Sequence, residues 1–200
     1  MEFIEKKYIE LCDKESDINE HLPTLYNYAS RCESILELGI RDCISSWAFV
    51  YGLLNNNKPK KKIFLNDILP CKIDDLLEKT EDLNIDIQYQ WINDLELDIN
   101  EKYDMTFIDT WHIYGQLKRE LAKFSKITNK YIIMHDTTID GEYSECCRSK
   151  YIAFDSGYTR QELTLGLWYA ISEFLENNKD GWVLHKRFTN NCGLTILEKK

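Results

Sequence analysis

The stretch Ser34-Ile35-Leu36-Glu37-Leu38-Gly39-Ile40-Arg41-Asp42-Cys43-Ile44-Ser45-Ser46 decides how the rest of this 200-residue chain is read. Ile35, Leu36 and Leu38 form a short apolar run that suits a buried strand, interrupted by the charge of Glu37 near its end. Gly39 then permits a tight turn, because it has no Cβ to clash. Past Cys43, the residues Trp47, Val50, Tyr51 and Leu54 recur at three- and four-residue spacing, which predicts a helix from Ile44 to Leu54. Strand, acid, glycine turn and helix is how a doubly wound α/β sheet opens a ligand site at the carboxyl end of its first strand.

The same alternation continues along the chain. Strands are predicted at 63–65, ending on Asn66-Asp67, at 85–89, at 105–108, ending on Asp109, and at 131–134, ending on His135-Asp136. Helices are predicted at 73–83 and 114–124, with Asp74 and Asp75 in the first turn of the former, where acids favour the helix dipole. Ahead of the first strand, helices at 3–11 and 18–29 make residues 1–33 a helical cover for one edge of the sheet. After the fifth strand, 137–160 has no clear period and is long enough for a lid. A long apolar helix at 163–175 follows, then strands at 182–184 and 194–197, suited to a terminal antiparallel pair. The whole of 1–200 reads as one α/β domain, a mostly parallel seven-stranded sheet with helices on both faces.

Composition narrows the classes. An apolar share of 44% and aromatic share of 12% argue against disorder. A net charge of −9 disfavours nucleic acid, and the lysines at 58 and 60–62 read as a solvated loop. No run of about 18 apolar residues predicts a membrane span, and the first residues lack the apolar core of a signal peptide. Seven scattered cysteines without a C-x-x-C pair predict reduced thiols and a cytoplasmic protein.

Polar residues close strand after strand: Glu37, Asp67, Asp109 and Asp136. Such strand ends form the crevice where open α/β sheets bind ligands. Asp67, or its neighbour Asn66, could accept hydrogen bonds from a ribose diol, and either also suits an ordinary turn. In the loop after the third strand, Trp91 could stack on a base and Asn93 or Asp94 could hydrogen-bond it, or Trp91 could belong to the core. Asp109 and Asp136 stand on adjacent strand ends, as a hard divalent ion requires. His135 beside them is an imidazole, better suited to zinc, iron or manganese than to magnesium. His112, three residues after Asp109, titrates near neutrality and could take a proton.

The stretch from Glu37 to Ser45 resembles motif I of the class I S-adenosylmethionine (SAM) methyltransferases, roughly E-x-G-x-x-x-G-x-S. Glu37, Gly39 and Ser45 match, and Cys43 stands where a second glycine is usual. Phe107-Ile108-Asp109-Thr110-Trp111-His112, Met134-His135-Asp136 and Asn190-Asn191-Cys192-Gly193-Leu194 are similar to the corresponding parts of small-molecule O-methyltransferases of catechol, macrolide-sugar and rhamnosyl type. The resemblance runs from Ser34 onward.

It implies a Rossmann-like domain that transfers a methyl group from SAM to a hydroxyl of a small polar acceptor, a sugar or glycan first. It implies cofactor contacts from Glu37, Gly39, Arg41, Ser45, Asn66, Asp67, Asn93, Asp94 and Asp109. It implies a divalent metal, Mg²⁺ or Mn²⁺, on Asp109, His135 and Asp136, with His112 and Asp109 as catalytic residues. The expected partner is the acceptor alone, with a homodimer left open. The competing readings are a methyltransferase fold that has lost activity and serves as a binding module, and a nicotinamide-dependent oxidoreductase. The latter usually wants G-x-G-x-x-G after the first strand, which Gly39 to Cys43 does not supply.

Overall fold

In a computed structural model, which describes residues 1–150 and 156–200, helices α1 (Glu2–Asp13) and α2 (Leu22–Ala29) precede β1 (Ser34–Leu38) and α3 (Ile44–Leu54). Then come β2 (Lys62–Asp67), α4 (Asp74–Thr80), β3 (Asp86–Trp91), β4 (Tyr103–Ile108), α5 (Tyr114–Phe124) and β5 (Thr128–His135). Short helices α6 (Glu145–Ser149) and α7 (Arg160–Thr164), helix α8 (Leu167–Asn177) and strands β6 (Trp182–Phe188) and β7 (Leu194–Lys199) complete the chain. The sheet order is β3-β2-β1-β4-β5-β7-β6. Strands β1 to β5 pair in parallel, and β7 runs antiparallel to both β5 and β6. The α/β class, the seven strands and the terminal antiparallel pair are therefore as the sequence predicts.

Period-two alternation distributes the strand side chains between two cores. Ile35, Met105, Phe107 and Ile133 face the side covered by α1 to α4, where Leu25, Phe49 and Leu53 meet them. Leu36, Leu38, Ile132 and Met134 face Leu117, Leu121, Ile171 and Phe174 from α5 and α8. Phe49 and Phe107 pack as an edge-to-face pair 5.2 Å apart, and each buried ring stabilises the fold by about 1.5–3 kcal/mol.

Among the element boundaries that differ from the sequence reading, three bear on how the site is built. The helix expected at 18–29 is a 3₁₀ turn (Asn19–His21) followed by α2, with Pro23 in its first turn, where the missing N–H does no harm. Residues 16–20 do not merely cover a sheet edge. Asn191 donates to the Ser16 carbonyl and accepts from the Glu20 amide, so this segment reaches over the β5–β7 end. The helix expected at 163–175 breaks between α7 and α8. Its break is set by Gly166, where a Cβ would stand 2.5 Å from the carbonyl oxygens of Asp140 and Gly141. The amides of Gly166, Leu167 and Trp168 instead donate to the carbonyls of Glu142, Asp140 and Gly141. Strand β3 runs on to Trp91, where a loop beginning at Gln90 was expected.

The expected lid at 137–160 includes 151–155, which lie outside the described residues. Its described parts hold α6, a bridge between Tyr143 and Leu165, and buried Thr137, Asp140 and Ser144. Among the described residues, no disulfide forms and no helix is long and apolar enough to cross a membrane.

Candidate functional site

The turn after β1 is held from both sides. Gly39 adopts φ +83°, and a Cβ there would lie 1.9 Å from the Asp109 carbonyl oxygen. The Gly39 amide donates to the Asn66 carbonyl, 2.9 Å away. Asp67 Oδ2 accepts from the amides of Ile40 and Arg41, both at 3.0 Å, and its Oδ1 accepts from Leu69 N. Cys43, where the family's second glycine is usual, takes the left-handed region at φ 59° and caps α3 with its side chain buried. Arg41, at φ 41°, reaches back to Asp17 at 2.7 Å.

Over this turn opens a cavity of about 570 Å³, lined by Gly39, Arg41, Ser45, Asn66, Asp67, Asn93, Asp94, Asp109 and His112. Of the expected cofactor set, only Glu37 lies behind the wall. It is fully buried and accepts a hydrogen bond from Ser45 Oγ at 2.5 Å, and its other oxygen has no partner. Burial pushes its carboxyl up to about 8, and the charges of Asp109 and Asp67 add to this. Asn66 is spent on structure, donating to the carbonyls of Gln90 and Ile92. Asn93 accepts from Leu95 N and starts a 3₁₀ turn.

Asp94 is buried beside Glu120, and Gln116 donates to both at 2.9 and 2.8 Å. Asp94 Oδ2 and Glu120 Oε2 have no other partner. Burial raises both carboxyls, and the charge of Asp94 pushes Glu120 up further. Trp91 is 61% exposed, so it is not a core residue, and it does not line the cavity.

The wall also contains residues the sequence reading missed. Ile68 and Leu69, 65% and 66% exposed, line the cavity directly after Asp67. Two large apolar residues in a turn after a strand-end acid were a usable signal. Gln116, Glu145, Ser156 and Tyr158 come from α5, α6 and the loop before α7, and nothing local marks them, whereas Thr110 and Trp111 follow Asp109 in the stretch already quoted. Tyr158 closes one side, with Trp111 edge-to-face at 5.5 Å, the Arg119 guanidinium at 4.2 Å from its ring, and its hydroxyl donating to Gln116.

At the cavity's other end, Asp109, His112, His135 and Asp136 converge. His112 Nε2 stands 3.2 Å from Asp109 Oδ1 and 3.1 Å from Asp136 Oδ2. Its Nδ1 stands 3.2 Å from Asp140 Oδ2 and 3.0 Å from Glu145 Oε2. His135 Nδ1 lies 3.4 Å from Asp109 Oδ2 and 3.5 Å from Asp136 Oδ2. Its Nε2 faces the carbonyl oxygens of Asp17 and Asn191 at 3.1 and 3.3 Å. Asp140 is fully buried and pinned by Arg148 through two bonds of 2.9 and 2.8 Å.

Burial alone would lower both histidines. The surrounding carboxylates overcome it, lifting His135 to about 10 and His112 well above its ordinary value. In turn, His135 and His112 hold Asp109 well below the usual carboxylate range, against its burial. Asp109, His112 and Asp136 place one ligand atom each within 4.8 Å of one another, as do His112, Asp140 and Glu145. Of the expected metal trio, Asp109 and Asp136 fall in the first of these groups, with His112 in the place expected of His135, whose Nδ1 stands 3.4 and 3.5 Å from their oxygens.

No family model matches this chain, and neither does any curated protein sequence. Solved structures do match. The N-methyltransferase NodS from Bradyrhizobium japonicum WM9 is similar over 94% of this chain and 97% of its own, at TM-score 0.60 and 13% identity. The methyltransferase PaMTH1 from Podospora anserina, solved with S-adenosylhomocysteine (SAH), covers 98% of this chain and 87% of its own, at TM-score 0.57 and 13% identity. The O-methyltransferase TomG from Streptomyces achromogenes, solved with SAM, covers 94% and 82%, at TM-score 0.57 and 11% identity. The chain has the class I SAM-dependent methyltransferase fold.

Proposed function

We propose that this protein is a SAM-dependent O-methyltransferase acting on a hydroxyl of a small polar acceptor, with a sugar or glycan as the first class to try. The observation that carries the reading is the continuity of one cavity from the Gly39 turn and Asp67 to Asp109 and His112. TomG and PaMTH1, built on the same fold, are solved with SAM and SAH. The sugar class rests on the resemblance of the strand-end motifs.

The residues fit the cofactor. Any side chain at Gly39 would fill the space against β4, so the turn keeps a cradle open. Asp67 uses three of the roughly four lone-pair positions of a carboxylate on backbone amides, which leaves one for a ribose hydroxyl. Ile68 and Leu69 offer apolar cover for the base, and Asp94 a polar edge. Bound SAM would supply a methyl group already activated on sulfur. The protein's part is to hold the acceptor oxygen in line and exclude water.

The corner also fits a divalent ion. His135 Nδ1 is buried, lacks a hydrogen-bond partner and aims at Asp109 and Asp136. Those three residues would hold the ion, which would lower the pKa of a hydroxyl bound to it. Asp109, on the cavity wall, is placed to orient that hydroxyl by accepting its hydrogen bond. Calorimetry with SAH, followed by SAH release from SAM in the presence of a panel of monosaccharides and glycosides, tests the reading. Binding of SAH with turnover on one acceptor class is expected. Binding without turnover on any hydroxyl would point to the inactive binding module instead.

A further inference from the structure

The convergence at the end of the cavity contains more nitrogen than a magnesium site uses. We infer that His112 and His135 together make a two-nitrogen, two-carboxylate site with Asp109 and Asp136, one that selects a first-row transition ion such as Fe²⁺, Co²⁺ or Zn²⁺ over Mg²⁺. Asp140 is then a positioning residue for His112. The inference rests on the methyltransferase reading only for the site's purpose, because the geometry is independent of the substrate.

Consider His135 first. Its Nε2 faces two carbonyl oxygens, Asp17 O and Asn191 O, which can only accept, so Nε2 carries the hydrogen. The side chain is 1% exposed, and Nδ1, without a hydrogen-bond partner, points between Asp109 Oδ2 and Asp136 Oδ2. Two carboxylates facing that nitrogen call for positive charge between them, which a proton on Nδ1 or a metal ion in its place supplies. His112 approaches from the opposite side, with Nε2 hydrogen-bonded to Asp109 Oδ1 and 3.1 Å from Asp136 Oδ2, while its Nδ1, without a hydrogen-bond partner, stands near Asp140 and Glu145.

Each ring thus turns one nitrogen toward the shared carboxylates, and for His135 two carbonyl oxygens fix the tautomer as outer oxygens do for a metal-bound histidine. Asp140 cannot drift from its post, since Arg148 holds it through both oxygens. Charge agrees, for Asp109, Asp136, Asp140 and Glu145 supply four carboxylates against the single guanidinium of Arg148. Imidazole suits zinc, iron, cobalt and nickel, whereas Mg²⁺ prefers oxygen and keeps its water. With two imidazoles among four donors, magnesium is the poorer fit.

The test uses metal alone on the full chain. Chelator-treated protein is titrated with Co²⁺, and the visible d–d absorption is recorded, with Mg²⁺ then added as competitor. The expected result is a saturable Co²⁺ spectrum that persists under a roughly hundredfold excess of Mg²⁺. His112→Gln and His135→Gln should each weaken Co²⁺ and change the band shape. Asp140→Asn, which touches no ion, should weaken it by about 10–100-fold, the usual cost of losing an outer-shell partner.

His135 is buried and its variant could fail to fold, so His112→Gln, on the cavity wall, carries the decision, with far-ultraviolet dichroism as the folding check. Displacement by an equal concentration of Mg²⁺ would overturn the inference. So would an unchanged Co²⁺ affinity and spectrum in His112→Gln. SAH calorimetry on the same samples separates the two readings. SAH binding without a Co²⁺ spectrum sinks the metal inference alone, and loss of both sinks the methyltransferase reading as well.

Discussion

The carbonyl oxygen of Asp109 and the α-carbon of Gly39 touch: a Cβ on Gly39 would stand only 1.9 Å from that oxygen. The end of β4 therefore rests directly on the turn after β1, and the acid at the corner and the floor of the cavity share one contact.

Gly39→Val should abolish SAH binding and destabilise the fold. The side chain would have to displace β4, and a β-branched residue at φ +83° is strained besides. We expect a loss of more than about 3 kcal/mol of stability, at the upper end of single substitutions. Urea unfolding with calorimetry checks it, and a variant that binds SAH like the wild type would refute the contact's importance.

Glu37 predicts a pH dependence of stability. Its folded pKa is about 8 against an ordinary 4.5. Below 4.5 both states hold the proton. Between 4.5 and 8 the folded state keeps it while the unfolded chain releases it, so stability falls as pH rises, by at most about 1.4 kcal/mol per unit. Above 8 the loss is complete. Glu37→Gln should remove this component, so urea midpoints at pH 5 and pH 8 should differ less in the variant than in the wild type. Equal differences would show that Glu37 does not carry the proton.

Trp91 and Asp94 should separate cleanly in SAH affinity. Trp91→Ala, at an exposed site off the cavity, should leave affinity within about twofold, far below the 1.4 kcal/mol of a tenfold change. Asp94→Ala, on the wall, should weaken SAH by about tenfold or more, since it removes a polar edge and orphans its partners Gln116 and Glu120. Equal losses in the two variants would put the base on the wrong residues.

Gly166→Ala should cost about 1–3 kcal/mol, the usual penalty for a group with no room. Its Cβ would press on the Asp140 and Gly141 carbonyls and shift the segment that carries Asp140. A thermal melt reads the stability, and Co²⁺ binding reads the shift. An unchanged melting temperature would mean the α7–α8 junction is looser than the contacts imply.

Much of this protein was legible in the sequence because its information is local. The apolar run before Glu37, the glycine after it and the helical spacing past Cys43 each act within a few residues. The repeat of that unit forces a parallel sheet with its strand-end acids on one rim. Gly39, Asp67, Asp109, His135 and Asp136 could be named for that reason.

What the sequence did not contain was who meets whom across the rim. His112 follows Asp109 by three residues, yet it is Asp140 and Glu145, from beyond β5, that flank its other nitrogen. His135 is oriented by carbonyls of Asp17 and Asn191, more than a hundred residues apart in the chain. Trp91 looked like a base platform by position and stands in solvent because β3 is an edge strand. The break between α7 and α8 follows from a backbone 25 residues earlier that leaves Gly166 no room for a side chain. Local spacing determined the sheet and its acidic rim, and packing between distant segments decided how the two histidines at that rim are turned.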